Sequence, residues 1–321
     1  MRRGGYVLVN IILLIVGFIL LIKGADFFVD GASGIAEHFK VSKMLIALTI
    51  VSFGTSAPEL AVSIKSLLSG NGDIVLGNVI GSNILNILLI LGVSSLFHSL
   101  TVKNNTVKKE LPITLMITLA FSVLLLDSFF NGGQISLFTR SDGIVLLLFF
   151  SVFLYYLFSM MRNKVNKDDD SKSISLRKAI LLTIIGLLGV VFGSNFVVDS
   201  AAYIAKELGV TQRIISLTIV ALGTSLPELV TSVMATRKGE YDIAIGNVVG
   251  SNIFNIGVVI GIPVALLGGV GVVTFSYVDI IIMIMATLML FLFSLNDYKI
   301  SRREGIMFLL VFIVYYTYVV L

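Results

Sequence analysis

Apolar residues in this chain neither alternate nor recur every third or fourth position. They run on for about twenty residues at a time between short polar breaks, the length of a membrane span. Ten such runs fall near 6-23, 42-68, 73-99, 111-130, 142-161, 178-198, 211-236, 242-269, 277-294 and 304-321. Without water in the hydrocarbon, a spanning backbone must satisfy its own hydrogen bonds, so each segment is a helix or a strand of a closed barrel. A barrel would show segments of about ten residues with alternating polarity, which the runs exclude. The pattern predicts an all-α membrane protein of ten transmembrane helices. The one strongly polar break, Arg162 to Ser175, contains Asp168-Asp169-Asp170 and is too short to fold by itself. It separates an N-terminal five-helix half, 1-162, from a C-terminal half, 178-321, with a short linker at 163-177.

The halves are copies. Sliding the chain by 169 positions aligns Gly24–Gly92 with Gly193–Gly261 without a gap, and 33 of the 69 pairs are identical. Five spans is an odd number, so the second copy enters the membrane from the opposite side. The prediction is therefore two inverted five-helix repeats, an architecture that places a binding site near the midplane. The most repetitive stretches are about 42-92 and 211-261.

Composition agrees with the pattern: 57% of residues are apolar and 13% charged, with a mean hydropathy of +1.03, where a soluble domain is about a quarter charged. The net charge of +4 is dispersed in loops and gives no reason to expect nucleic acid. Cysteine is absent, which removes disulfides and thiolate metal sites. Arg2-Arg3 precede an apolar run that lacks a small-residue cleavage site, so it reads as the first span and not as a signal peptide. With both termini outside, 17 of the 23 Lys and Arg residues fall in inner loops. The positive-inside bias then favours a multi-pass plasma-membrane protein with a cytoplasmic central loop.

Each copy places an acid within a span. Thr49-Ile50-Val51-Ser52-Phe53-Gly54-Thr55-Ser56-Ala57-Pro58-Glu59 returns as Thr218-Ile219-Val220-Ala221-Leu222-Gly223-Thr224-Ser225-Leu226-Pro227-Glu228. A carboxylate at the bilayer centre costs about 2.5–3.5 kcal/mol or more, which marks Glu59 and Glu228 as functional. Pro58 and Pro227 lack an N–H and crowd the carbonyl four residues back, so the helix should break near Gly54 and Gly223 and release carbonyls. Ser52, Thr55, Ser56 and Ser63 stand near Glu59, and Thr224, Ser225 and Ser232 near Glu228. Carboxylate, hydroxyl and carbonyl oxygens suit Na⁺ or Ca²⁺ and do not suit zinc or copper.

A second element follows each phrase: Gly77-Asn78-Val79-Ile80-Gly81-Ser82-Asn83-Ile84-Leu85-Asn86 and Gly246-Asn247-Val248-Val249-Gly250-Ser251-Asn252-Ile253-Phe254-Asn255. Asn78, Ser82 and Asn86 share a helical face, as do Asn247, Ser251 and Asn255. Gly77 with Gly81, and Gly246 with Gly250, form the small-xxx-small pattern of close helix approach. The polar stripes are expected to face the glutamates. Asp30, Asp199, Asp73 and Asp242 fall near span ends, where helix capping is the expectation. Asp127 should snorkel, and His38 and His98, both near loops and without a repeat partner, give no basis for a proton relay.

With these motifs in view, the chain resembles the sodium/calcium exchanger family within the cation/Ca²⁺ antiporters. Gly54-Thr55-Ser56-Ala57-Pro58-Glu59-Leu60 and Gly223-Thr224-Ser225-Leu226-Pro227-Glu228-Leu229, each followed by Gly-Asn-x-x-Gly-Ser-Asn, look like its two alpha repeats. The resemblance implies a secondary antiporter exchanging Na⁺ for Ca²⁺ by alternating access, electrogenically, with neither enzyme activity nor a cofactor. It implies Ca²⁺ between Glu59, Glu228 and the carbonyls of Thr55 and Thr224. It also implies Na⁺ around Glu59, Ser56, Ser82 and the Ser52 carbonyl, and around Glu228, Ser225, Ser251 and the Ala221 carbonyl, with Asn86 and Asn255 facing the centre. Its expected partners are the two ions and the bilayer, and no obligate protein partner is evident. Animal relatives carry a large regulatory domain between the halves, for which the connector here has no room. An amide at Asn255, where potassium-dependent relatives have an acid, argues for K⁺ independence. The H⁺/Ca²⁺ antiporters of the same superfamily are the alternative, though their pattern places a histidine beside the acid. A cation channel is a more distant one.

Overall fold

The computed structural model describes residues 2–131, 136–162, 174–210, 221–272 and 276–320. The chain is mostly helical. In order the helices are α1 (Arg2–Phe39), α2 (Lys43–Thr55), α3 (Ala57–Leu68), α4 (Gly72–Leu85, running on to Phe97), α5 (Leu111–Leu125, led by a wide turn at Thr106–Glu110), α6 (Asp127–Asn131) and α7 (Arg140–Arg162). The second half supplies α8 (Leu176–Glu207), α9 (Ala221–Thr224), α10 (Leu226–Arg237), α11 (Tyr241–Leu267), α12 (Tyr277–Leu295) and α13 (Arg302–Val320).

Six of these helices, α1, α4, α7, α8, α11 and α12, are long and apolar enough to cross a membrane. The α2–α3 pair, bent by 45°, makes a seventh. The expected ten are therefore not all distinct among the described residues. The run at 111-130 is cut at Leu126 into α5 and α6, and α13 opens on the charged Arg302, Arg303 and Glu304. In the run at 211-236, residues 211–220 lie outside the described set, as does most of the 163-177 linker. The helices are not quite the whole structure. Two antiparallel ribbons pair Leu100–Thr101 (β1) with Lys299–Ile300 (β4), and Ser136–Phe138 (β2) with Val270–Val272 (β3). Each ribbon ties a loop of the first half to a loop of the second.

Two helices outrun their expected lengths. α1 has 38 residues and α8 has 32, so at 1.5 Å per residue each exceeds the roughly 30 Å hydrocarbon core. They lie along each other with backbones in contact. A Cβ at Gly24 would sit 2.6 Å from the Val190 nitrogen, and one at Gly193 2.6 Å from the Leu21 nitrogen, so only glycine permits this approach. The length has a cause that hydropathy does not register. Asp26 and Asp30 interrupt the apolar run without interrupting the helix, because both pair with Lys238 beyond α10, at 2.7 and 2.6 Å. Asp30 is thus mid-helix and ion-paired, and Asp199 lies within α8 on an exposed face, so neither caps a helix end. Lys43 likewise reaches Glu240 at 2.5 Å, and Lys103 pairs with Asp242 in the first turn of α11. All of these pairs join one half to the other.

The centre belongs to α4 and α11. Within the apolar window of each, 72% and 83% of residues are buried, against 17% for α1 and α7. The helices carrying the polar stripes are therefore enclosed by protein, and the plain apolar ones face outward, with Leu8, Ile15, Leu148 and Val152 among the exposed side chains.

Candidate cation site

The first repeated phrase breaks where proline dictates, two residues later than expected. α2 ends at Thr55, Ser56 takes φ −84° and ψ 4°, and α3 begins at Ala57 with Pro58 in its first turn. The second does the same at Ser225, with φ −89° and ψ 4°. A proline ring clashes with the carbonyl four residues back but is well accommodated in a helix's first turn, so the chain restarts its helix just ahead of Pro58 and Pro227. Glu59 and Glu228 thereby stand in the first turns of α3 and α10, both 1% exposed.

The two halves meet at these glutamates. Ser56 donates to Glu228 Oε1 at 3.0 Å, and Thr55 donates to Asn247 Oδ1 at 3.1 Å. Ser225 donates to Ser82 at 3.4 Å, and the Asn86 amide donates to Asn252 Oδ1 at 2.9 Å. Glu228 is flanked by Ser56, Thr55 and Ser251, and Glu59 by Ser225 and Thr224, and each acid lies within reach of the other's charge. No ion pair reaches either acid among the described residues.

A supporting layer fixes the acids' backbone. Asn78 donates to the Glu59 carbonyl and to Ser63 Oγ, both at 3.1 Å. Asn247 donates to the Glu228 carbonyl at 3.4 Å and to Ser232 Oγ at 3.0 Å. Ser63 and Ser232, read from sequence as candidate ligand oxygens, are thus engaged with asparagines instead. The Ser52 carbonyl accepts the Ser56 N–H at 3.0 Å, and Ser52 itself is fully buried. Ala221 is the first residue of α9.

At Asn86 and Asn255 the helices widen into π-helical turns, Asn86–Leu91 and Asn255–Ile260. Such turns often mark functional sites, and no residue pattern in the chain announced them. Two more asparagines were missed. Asn252 accepts from Asn86 and donates to the Asn83 carbonyl at 3.3 Å. Both follow Gly-Ser in their motifs but stand one position off the four-residue stripe. Close approach through small residues holds at Gly250, where a Cβ would lie 2.7 Å from Ser52 Oγ.

What the site lacks is partners. Both oxygens of Glu59, Glu228 Oε2, Asn83 Oδ1, Asn86 Oδ1, Ser251 Oγ and both amide atoms of Asn255 are buried without a hydrogen bond, eight of the thirteen such atoms in the described residues. Buried polar atoms are normally paired, so a cluster of unpaired oxygens implies something that pairs them. Among the described residues no group of three or more His, Cys, Asp or Glu could hold a metal. Two acids with neutral oxygens have the donor chemistry of a hard-ion site.

The chain matches the sodium/calcium exchanger protein family over residues 9–159 and 178–321. It is 34% identical over 341 residues to the sodium/calcium exchanger MaX1 of Methanosarcina acetivorans, covering 96% of this chain and 97% of that protein. It is 38% identical to the inner membrane protein YrbG of Escherichia coli K12, covering 80% of each. Its structure superimposes on the sodium-calcium exchanger NCX_Mj, soaked with 10 mM Na⁺ and no Ca²⁺, with a TM-score of 0.82 at 33% identity over 96% of this chain and 98% of that one. The chain is a multi-pass membrane protein that belongs to the sodium/calcium exchanger family.

Proposed function

We propose that the protein exchanges Na⁺ for Ca²⁺ by alternating access, through one site shared between the two halves. The observation that carries this reading is the pair of buried acids, one per half, with oxygens left unpaired and with the Ser56 hydroxyl of one half donating to Glu228 of the other. Ca²⁺ takes six to eight oxygens and needs charge compensation, and Glu59 and Glu228 are the two anions that supply it. Thr55 and Thr224 would add carbonyls. Na⁺ would be held around Glu59, Ser56, Ser82 and the Ser52 carbonyl, and around Glu228, Ser225, Ser251 and the Ala221 carbonyl.

The ten-span, inverted-repeat layout belongs to this reading, with both termini outside and the central loop in the cytoplasm. It is supported by the 169-residue offset and by four ion pairs that join one half to the other. One Ca²⁺ neutralises the two carboxylates. Further Na⁺ at the serine hydroxyls adds positive charge, so the exchange moves net charge with more than two Na⁺ per Ca²⁺. Amides at Asn86 and Asn255 add no third negative charge to hold K⁺ beside Ca²⁺.

The test is Ca²⁺ uptake by proteoliposomes of the purified chain. An outward Na⁺ gradient should drive uptake with protons equilibrated by an ionophore, and an outward H⁺ gradient without Na⁺ should not. Uptake driven by protons alone would assign the chain to H⁺/Ca²⁺ exchange instead. Insensitivity of the Na⁺-driven flux to imposed voltage would remove the electrogenic part.

A further inference from the structure

Outside the cation site the halves share a second device. Glu110, leading into α5, accepts a hydrogen bond from the Tyr156 hydroxyl on α7. Sliding by 169 brings Glu110 onto Asp279, which begins α12 and accepts a 2.9 Å hydrogen bond from Tyr315 on α13. Each half thus clasps its fourth run to its fifth with an acid and a tyrosine. The clasps differ in one respect. Asp279 spends its other oxygen on the backbone N–H of Ser276 at 3.2 Å, closing a helix cap. Glu110 is fully buried, and its Oε2 has no partner.

Glu110 belongs to the lining of a cavity of about 170 Å³, formed with Ser42, Lys103, Thr106, Lys109 and Tyr156. Lys103 is already paired with Asp242. Lys109 is exposed, makes no ion pair among the described residues, and lies 5.9 Å from the centroid of the Tyr156 ring. The cavity therefore presents a carboxylate with one oxygen free of hydrogen bonds, a lysine that makes no ion pair among the described residues, and an aromatic face. It sits where the runs at 111-130 and 142-161 reach their ends, the level of lipid headgroups.

We propose that this cavity binds the headgroup of a zwitterionic phospholipid bearing a primary ammonium. The ammonium donates to Glu110 Oε2 beside the Tyr156 ring, and the phosphate meets Lys109. A charge-assisted N–H···O⁻ bond satisfies the buried oxygen, which a quaternary ammonium, having no N–H, cannot do. By spanning α5 and α7, the lipid completes in the first half the clasp that Ser276 completes in the second.

The test uses the full chain purified in detergent micelles doped with equal amounts of phosphatidylethanolamine and phosphatidylcholine of the same acyl chains, with retained lipid counted by native mass spectrometry. Wild type should retain the ethanolamine lipid over the choline lipid by roughly tenfold, the ratio one charge-assisted hydrogen bond supports. Glu110→Gln should bring the ratio near one. Lys109→Gln, at an exposed position, should weaken both lipids alike, and Asp279→Asn should change neither. Equal retention in wild type overturns the proposal without recourse to any variant that fails to fold. So does a preference that survives Glu110→Gln in a monodisperse protein. Displacement of the lipid by an equal concentration of soluble phosphoethanolamine would overturn the membrane as the source.

Discussion

Glu59 and Glu228 occupy the same place in two copies of one phrase, yet their surroundings differ. Glu228 has one oxygen held by Ser56 from the other half, and Glu59 has neither oxygen held. Ser56 and Ser225 differ in the same way. The first donates to a carboxylate and the second to another hydroxyl, Ser82. Sequence identity between the copies therefore does not carry over into identical bonding. Under the proposed alternating access, an asymmetric arrangement of the two halves is what a single state of the cycle would display, because inverted repeats switch access by exchanging the environments of their halves.

The strongest way to break the comparison is to neutralise one acid at a time. Glu59→Gln and Glu228→Gln are each expected to abolish Ca²⁺ transport in proteoliposomes while the purified protein stays folded, since each removes one of two anionic ligands. Substantial flux in either variant would mean that the halves do not share a site.

Adding a charge sharpens it. Asn255→Asp places a third acid among the first two, where like charges and burial favour its protonated form. Either a K⁺ effect or a proton dependence should then appear in a flux that, in wild type, persists when choline replaces K⁺. Wild-type flux that collapses in choline would show that the amides at Asn86 and Asn255 do not exclude K⁺.

The serines give a smaller, graded contrast. A hydrogen bond to a charged group contributes about 1.5–3 kcal/mol and a neutral one about 0.5–1.5 kcal/mol. Ser56→Ala should accordingly weaken Na⁺ dependence of exchange more than Ser225→Ala. Equal effects would mean that the asymmetry of these bonds has no energetic weight.

Smallest is the ion pair between halves. Lys238→Gln removes the partner of Asp26 and Asp30, whose side chains are 32% and 51% exposed, and partly exposed pairs contribute about 0.2–1 kcal/mol each. A modest drop in melting temperature is expected, reproduced by the Asp26→Asn and Asp30→Asn double variant. No change in either would leave the unbroken length of α1 to its glycine contacts alone.

Much of this molecule is legible in its sequence for a physical reason. Lipid demands long apolar runs, and duplication wrote the acids, prolines and asparagines twice. What was hidden depends on contacts between distant positions. The reach of α1 to Phe39 depends on Lys238, more than two hundred residues away, neutralising acids that otherwise look like a span's end. The roles of Asn83 and Asn252 arise where helices from different halves cross, and a four-residue stripe on one helix cannot reveal them. The helix break fell at Ser56 and not Gly54 because proline belongs to the turn it begins.

The central claim is one cation site built jointly by Glu59 and Glu228, and calorimetric Ca²⁺ titration of the purified chain in Na⁺-free detergent tests it most directly. One Ca²⁺ should bind per chain, Na⁺ should displace it, and either Glu59→Gln or Glu228→Gln alone should remove the binding. Two independent Ca²⁺ sites, each lost with its own glutamate while the other persists, would contradict it.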